Sequence, residues 1–369
     1  MANKTYSEIL DKLIKKQVAF AAWFNPQNNC PYLLVGNPED VVYYHHFDQL
    51  NGEQGFVFAP FNISEENPVI VLKPGRLCIG YEGIAQLEVD QFQPMEYIGK
   101  QADSNCILTK DEYLKTIGET ISEIKNGAFS KVIISRKMPV QRGNEPLGCM
   151  FSKLQEQTPN AFCYLVNLPF AGTWMGATPE LLLRQEGDTL ETVSLAGTQT
   201  RRDDGDYAWN TKEIEEQAFV SRYLLDVFYR FNIDSYKTEG PDSMESGQVA
   251  HLKTSFFFPL EKISSRLGDF IAELHPTPAV CGLPKKQSGD YILAKEKHHR
   301  NYYTGFLGPW KLNNELRLFV NLRCMKVFQD QYILYAGGGI TAKSVPEKEW
   351  DETNQKAGTL LSVINKCTE

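Results

Sequence analysis

Apolar residues recur at helical spacing where the chain begins. Tyr6, Ile9, Leu10, Leu13 and Ile14 share one face of an amphipathic helix. Short apolar runs broken by Pro and Gly follow, over Val18–Phe24, Tyr32–Val35, Gly55–Ala59 and Pro68–Leu72, and these read as strands. The polar stretch Ile98–Asn105 is a candidate boundary between an N-terminal part, 1–100, and a second region, 107–365. That region opens on a strong helix start. Thr109 and Glu112 have capping-box spacing, Leu114, Ile117, Ile121 and Ile124 line one face, and Gly127 stands where a C-terminal glycine belongs. Further β runs are predicted over Lys131–Val140, Phe162–Leu168, Trp174–Ala177, Leu181–Leu183, Thr189–Val193, Leu316–Val327 and Gln331–Gly337. Helices are predicted near Thr211–Phe231, Ser264–Leu274 and Pro346–Ile364. Many β runs joined by hairpin-like turns, with helices between, predict an α+β fold with antiparallel sheets rather than a doubly wound parallel sheet.

Composition narrows the partners. The 369 residues carry 38 Lys and Arg against 46 Asp and Glu, a net charge of −8 without a basic cluster. Phosphate neutralisation needs a positive face, so nucleic acid is excluded as an expected partner. No apolar run approaches the length of a membrane span, so no membrane association is expected. The N-terminus reads as an amphipathic helix and not as a secretory signal. Eight scattered cysteines with no CxxC pair fit reduced thiols and a cytoplasmic location.

The candidate chemistry starts with carboxylates. Glu213 and Glu216 share a helix face, as do Glu349 and Glu352. Opposed, the two faces would gather four acids, which repel unless a hard cation such as Mg²⁺ lies between them. On spacing alone a solvated helix face is the simpler reading of each pair. His251 and His275 stand beside apolar residues and read first as core histidines. Gly337, Gly338 and Gly339 follow a strand run and would let backbone amides approach an anion, with a hairpin or bulge as the alternative. Neither a Walker loop nor a Rossmann fingerprint is present. Lys131 and Glu180 sit among apolar neighbours. Burial would lower the amine's proton affinity and raise the carboxyl's, as a general base and a general acid near neutral pH require. A surface Lys and an edge Glu fit residue type equally well.

Ten ordered segments change the balance. Among them are KVIISR (131–136), GATPELLL (176–183), SLAGTQTRR (194–202), KEIEEQAFV (212–220), LHPTPAVCGLPK (274–285), NLRCMKV (321–327), LYAGGGI (334–340) and EKEWDETNQK (347–356). In this order they resemble the chorismate-utilising enzymes, which include isochorismate, salicylate, anthranilate and aminodeoxychorismate synthases. The resemblance covers residues 107–365, and 1–100 looks like a shortened N-terminal part of the same scaffold. It implies two large packed antiparallel sheets with helices outside, chorismate as substrate, and a monomer. It also implies Mg²⁺ held by Glu216 and Glu352, with Glu213 and Glu349 as close partners. Arg323, Tyr303, Gly337 and Gly339 match positions that hold the enolpyruvyl carboxylate, and Lys356 one at the metal end. Gly197 and Thr198 match the ring-lining LAGT motif, and His251 a histidine near the reacting edge. Two positions separate family members. Water-adding members carry Lys where Lys131 stands, and isochorismate synthases carry Ala where Ala279 stands. The resemblance therefore implies isochorismate synthase, with Lys131 as base and Glu180 as acid, feeding menaquinone or siderophore formation. Salicylate synthase is the alternative, and a non-catalytic chorismate-binding protein a more distant one. Gln217 and Gly338 depart from the family's usual His and Ala.

Overall fold

The computed structural model describes residues 2–98, 107–202, 204–246 and 249–368. The candidate boundary and Cys106 therefore lie mostly or wholly outside the described residues. Among those described are eighteen strands. They are β1 (Ala19–Phe24), β2 (Tyr32–Gly36), β3 (Val41–Tyr44), β4 (Gly55–Ala59), β5 (Val69–Leu72), β6 (Arg76–Ile79), β7 (Lys131–Gln141), β8 (Phe162–Leu168), β9 (Gly172–Thr178), β10 (Leu181–Glu186), β11 (Thr189–Thr200), β12 (Lys237–Ser246), β13 (Val249–Pro259), β14 (Gly282–Leu283), β15 (Phe306–Trp310), β16 (Arg317–Val320), β17 (Cys324–Val327) and β18 (Gln331–Ile340). The helices are α1 (Ala2–Lys15), α2 (Gly80–Ala85), α3 (Lys110–Lys125), α4 (Leu147–Gln157), α5 (Thr211–Arg230), α6 (Leu267–Leu274), α7 (Lys285–Lys295) and α8 (Pro346–Thr368).

The strands form two nine-stranded antiparallel sheets, as the sequence predicts. One runs β14-β7-β18-β17-β9-β8-β1-β2-β6, the other β12-β13-β11-β10-β16-β15-β4-β5-β3. The first hundred residues supply strands to both sheets. Aromatic side chains fill the layer between them, with Phe58 stacked on Tyr302 and Phe162 on Phe319, ring centroids 4.5 Å apart in each pair. Helices α1, α4 and α8 cover the outer face of the first sheet, and α5 and α6 that of the second. Burial on both faces explains why central strands such as AFAAWF show no polar alternation.

Local signals work where chemistry is local. At α3 the Thr109 hydroxyl accepts from the Glu112 amide and Glu112 accepts from the Thr109 amide, while Gly127 follows the helix at φ +86°. The run Leu316–Val327 is instead two strands. It breaks at Asn321–Arg323, where Arg323 takes φ +47°, and the chain passes from the second sheet (β16) to the first (β17). The segment Pro179–Glu180 makes the reverse passage from β9 to β10 beside it. The crossings are tied together: the Val320 amide donates to Glu180 O at 2.9 Å and the Ala177 amide to Arg323 O at 3.2 Å. Two ionisable side chains are thus delivered to one point on the seam between the sheets.

Candidate active site

That seam opens into a cavity of about 410 Å³ lined by Lys131, Glu180, Gly197, His251, Ala279, Tyr303, Arg323, Gly337, Gly339, Lys356 and the four glutamates 213, 216, 349 and 352. Apart from Thr198, whose side chain lies outside the described residues, every candidate from the sequence is on this wall. Residue type alone leaves surface positions open for Lys131, Glu180 and both acid pairs; the fold does not.

Glu180 is 9% exposed, and burial pushes its carboxyl up to about 7 against the opposing pull of Lys356, Thr277, Lys131 and Arg323. Thr277 Oγ1 lies 3.5 Å from Glu180 Oε1. Sequence reasoning misses this threonine, although it stands in the HPTPA segment beside Ala279. Arg323 reaches the same space from its left-handed backbone, a conformation that costs energy for a residue with a Cβ and recurs at functional sites.

The three glycines are not a hairpin or a nest. They are extended residues of β18, with Gly337 opposite Ser135, Gly338 opposite Ile134 and Gly339 opposite Ile133. β17 pairs with β18 only as far as Leu334, so the edge of β18 beyond it has no strand partner in β17. Ser135 and Ile133 send their amides away from β18, to Glu296 and to Cys281 O. Gly337 and Gly339 therefore face them in non-hydrogen-bonded pairs, and their own amides point to the open edge. Lys356 Nζ confirms the direction by donating to Gly337 O at 2.8 Å. Alternation explains why all three must be small. A Cβ at Gly338 would lie 2.7 Å from Glu349 Oε2 on one face, and at Gly339 3.0 Å from Lys131 Cε, at Gly337 3.2 Å from the Tyr303 hydroxyl.

Across the cavity β11 bulges against β13. Ala196 pairs with Leu252 and Gln199 with Ala250, so Gly197 and Thr198 together face the single residue His251. Gly197 takes φ +70° and its carbonyl lies 2.9 Å from His251 Nδ1. A carbonyl partner requires the proton on Nδ1, which leaves Nε2 an acceptor. Burial pushes His251 down to about 4, so the ring is neutral at physiological pH. His275 is the core histidine its neighbours suggest, Nε2 donating to Pro60 O at 3.0 Å between Phe47 and Phe306.

The acids converge only partly. α5 begins with a capping box in which Glu213 Oε2 accepts from the Asn210 amide at 2.9 Å, and the same oxygen accepts from Gln199. Gln217, next to Glu216, fastens α5 to the sheet through Ser194 and Thr254. On α8, Glu352 Oε1 pairs with Lys356 Nζ at 2.7 Å. Among the described residues no three His, Cys, Asp or Glu side chains form a ready-made metal cage. The donor set is nonetheless all oxygen, which suits a hard divalent cation. The point a Gly338 methyl would occupy lies 2.7 Å from Glu349 Oε2 and 3.9 Å from Glu352 Oε1, so both carboxylates border one space.

Residues 80–365 match the family model described as chorismate binding enzyme. The vibriobactin-specific isochorismate synthase of Vibrio cholerae is 27% identical over 68% of this chain and 66% of its own length. Isochorismate synthase EntC of Escherichia coli K12 is 28% identical over 63% and 62%. The matched stretch thus spans just under two thirds of these two relatives. The crystal structure of DhbC from Bacillus anthracis superposes with a TM-score of 0.79 at 24% identity, covering 97% of this chain and 99% of that one. MenF, the menaquinone-specific isochorismate synthase of Escherichia coli, gives 0.75 at 20% over 96% and 91%. Both structures share the two-sheet fold, and the matched region takes in the whole cavity wall, so this chain belongs to the family of chorismate binding enzymes.

Proposed function

We propose that the chain is an isochorismate synthase. The observation that carries this is one cavity shared by Lys131 and a buried carboxyl, Glu180, that holds its proton up to about neutral pH. In the proposed reaction, Lys131 takes a proton from water as the water oxygen bonds to C2 of chorismate. The ring double bonds shift, the C4–O bond breaks, and Glu180 gives its proton to the departing hydroxyl, which leaves as water. One water enters and one leaves. Arg323, with the Gly337 and Gly339 amides and the Tyr303 hydroxyl, binds the enolpyruvyl carboxylate, for which the planar guanidinium suits two oxygens. Lys356 stands at the metal end. Neutral His251 offers Nε2 as an acceptor near the ring, Gly197 and Ala279 line its pocket, and Thr198 follows Gly197 in the ring-lining motif. Glu216 and Glu352 would hold Mg²⁺ with Glu213 and Glu349 beside them, and the bound cation supplies charge neutralisation for the ring carboxylate among four acids. The protein acts as a cytoplasmic monomer in this reading; among the described residues no helix is long and apolar enough to cross a membrane.

Incubation with chorismate and Mg²⁺, with products separated by HPLC, is expected to give isochorismate, and Lys131→Gln to abolish it. A Lys131→Gln variant of near-normal rate would overturn the base assignment. Salicylate fluorescence in the same incubation would favour the salicylate synthase alternative, against which Ala279 weighs, and ammonia-dependent product would favour an aminating enzyme.

A further inference from the structure

Strand β7 carries Lys131 at its first residue and is supported unevenly. β18 pairs with it along nearly its whole length, but on the other edge β14 pairs only with Lys131 and Val132. The polar backbone groups that follow would be stranded in a buried place. The Ile133 amide reaches Cys281 O at 2.9 Å; the next two groups are met by side chains. Arg300 Nη2 donates to Ile133 O at 2.8 Å, and Glu296 Oε1 accepts from the Ser135 amide at 2.7 Å and its hydroxyl at 2.9 Å. Glu296 and Arg300 are joined to each other by Nη2–Oε1 at 2.6 Å and Nε–Oε2 at 2.8 Å, each side chain 2% exposed. The remaining nitrogen, Nη1, donates to Val280 O at 2.9 Å and Thr304 Oγ1 at 3.3 Å, and the guanidinium lies 4.4 Å from the Phe61 ring centre.

We propose that Glu296 and Arg300 form a positioning unit that replaces the missing strand along β7 and holds Lys131, the Ala279–Val280 loop and Tyr303 in register around the bound ring. This rests on the activity proposed above. A buried ion pair is a poor source of stability, since apolar residues of similar volume often serve as well. What it supplies here is geometry. One rigid fork meets acceptors from three chain segments, and Ile133, Val280 and Thr304 all line the cavity. Lysine, a point charge on a flexible stem, cannot span them.

The test uses the full chain with Mg²⁺ and chorismate, comparing wild type, Arg300→Lys and the apolar double variant Glu296→Leu/Arg300→Met. Both variants are expected to lose kcat by the order of a hundredfold, with KM almost unchanged, because a small displacement of a reacting group slows the chemical step more than binding. The double variant is expected to melt lower than wild type, because the Ile133 and Val280 carbonyls and the Ser135 amide lose their partners, and amide hydrogen exchange is expected to quicken more at Ser135 than elsewhere in the sheet. Retention of kcat by the variants, a loss expressed wholly in KM, or unchanged exchange at Ser135 would each overturn the proposal. If Arg300→Lys does not fold, the double variant decides. A wild type that makes no isochorismate sinks the proposed activity, and exchange at Ser135 then decides whether the pair braces β7.

Discussion

Glu180, the proposed acid, is held in the fold at a cost in stability above neutral pH. Its carboxyl titrates near 4.5 when unfolded and about 7 in the fold, because burial penalises the charged form. The folded state therefore binds a proton more tightly. Its contribution to stability is fully present below pH 4.5 and is lost as pH rises through 7, a difference of about 3 kcal/mol at most. Glu180→Gln, which keeps the shape and removes the charge, is expected to abolish turnover and yet melt higher than wild type at pH 8, with the gap closing towards pH 4. Equal melting temperatures at pH 8 would show that the carboxyl ionises without cost. His251 runs the other way. Its pKa is depressed from 6.5 to about 4, so its contribution is present above 6.5 and is lost as pH falls through 4. In the proposed reaction the same titration of Glu180 sets the alkaline limb of the activity profile. Turnover should decline as pH rises through about 7, where Glu180 loses the proton it would donate.

Glycines in β18 and β11 act at the scale of whole elements. Gly338→Ala, which installs the residue the family usually carries, would push a methyl against the mobile end of the Glu349 side chain and is expected to leave both the melting temperature and the Mg²⁺ needed for half-maximal rate, read from a metal titration, close to wild type. Gly197→Ala asks an L-residue to hold φ +70° with its Cβ 3.2 Å from Glu213 Cβ, and should cost about 1–2 kcal/mol in a denaturant melt. An unshifted midpoint would mean that the bulge relaxes. Elements with local signals are legible in the sequence: the α3 capping box, the apolar face of α1, the central strands. β12 is not. KTEGPDSMES is polar, with Gly240 at φ +105° and a register shift between Glu239 and Asp242, and it is an edge strand whose one strand partner among the described residues is β13. α7 has no clean apolar stripe to betray it, with Ser288 and Ile292 its buried residues. The break at Arg323 is hidden because both halves of Leu316–Val327 are apolar and only the second sheet's position forces the crossing. The site divides likewise. The motifs name the wall residues, but that Glu180 is buried and that Glu296 and Arg300 brace β7 depend on segments far apart in sequence.

On the scale of the whole molecule the cavity sits where two large sheets exchange strands, so its two ends are built from different parts of the fold. Arg323 and Glu180 come from the crossings, one pair of acids from α5 over the second sheet, and the other pair from α8 over the first. The chain as a whole is at net −8, and four glutamates line the space into which the proposed dicarboxylate substrate would pass. Arg323 and Lys356 offset part of this, but Lys356 is already paired with Glu352. Substrate affinity, and not only rate, should then depend on the cation, because unscreened acids at close range oppose a second set of carboxylates. Chorismate with Mg²⁺ at a hundred times its dissociation constant stabilises the fold by about 2.7 kcal/mol through mass action. A rise of several degrees in melting temperature follows for a chain of this size. With EDTA the same chorismate concentration is expected to leave the melt almost unmoved and turnover absent, and both should return when Mg²⁺ is added in excess. An equal rise with and without chelator would mean that the internal cations suffice to bind the substrate, and would remove the metal from the binding step.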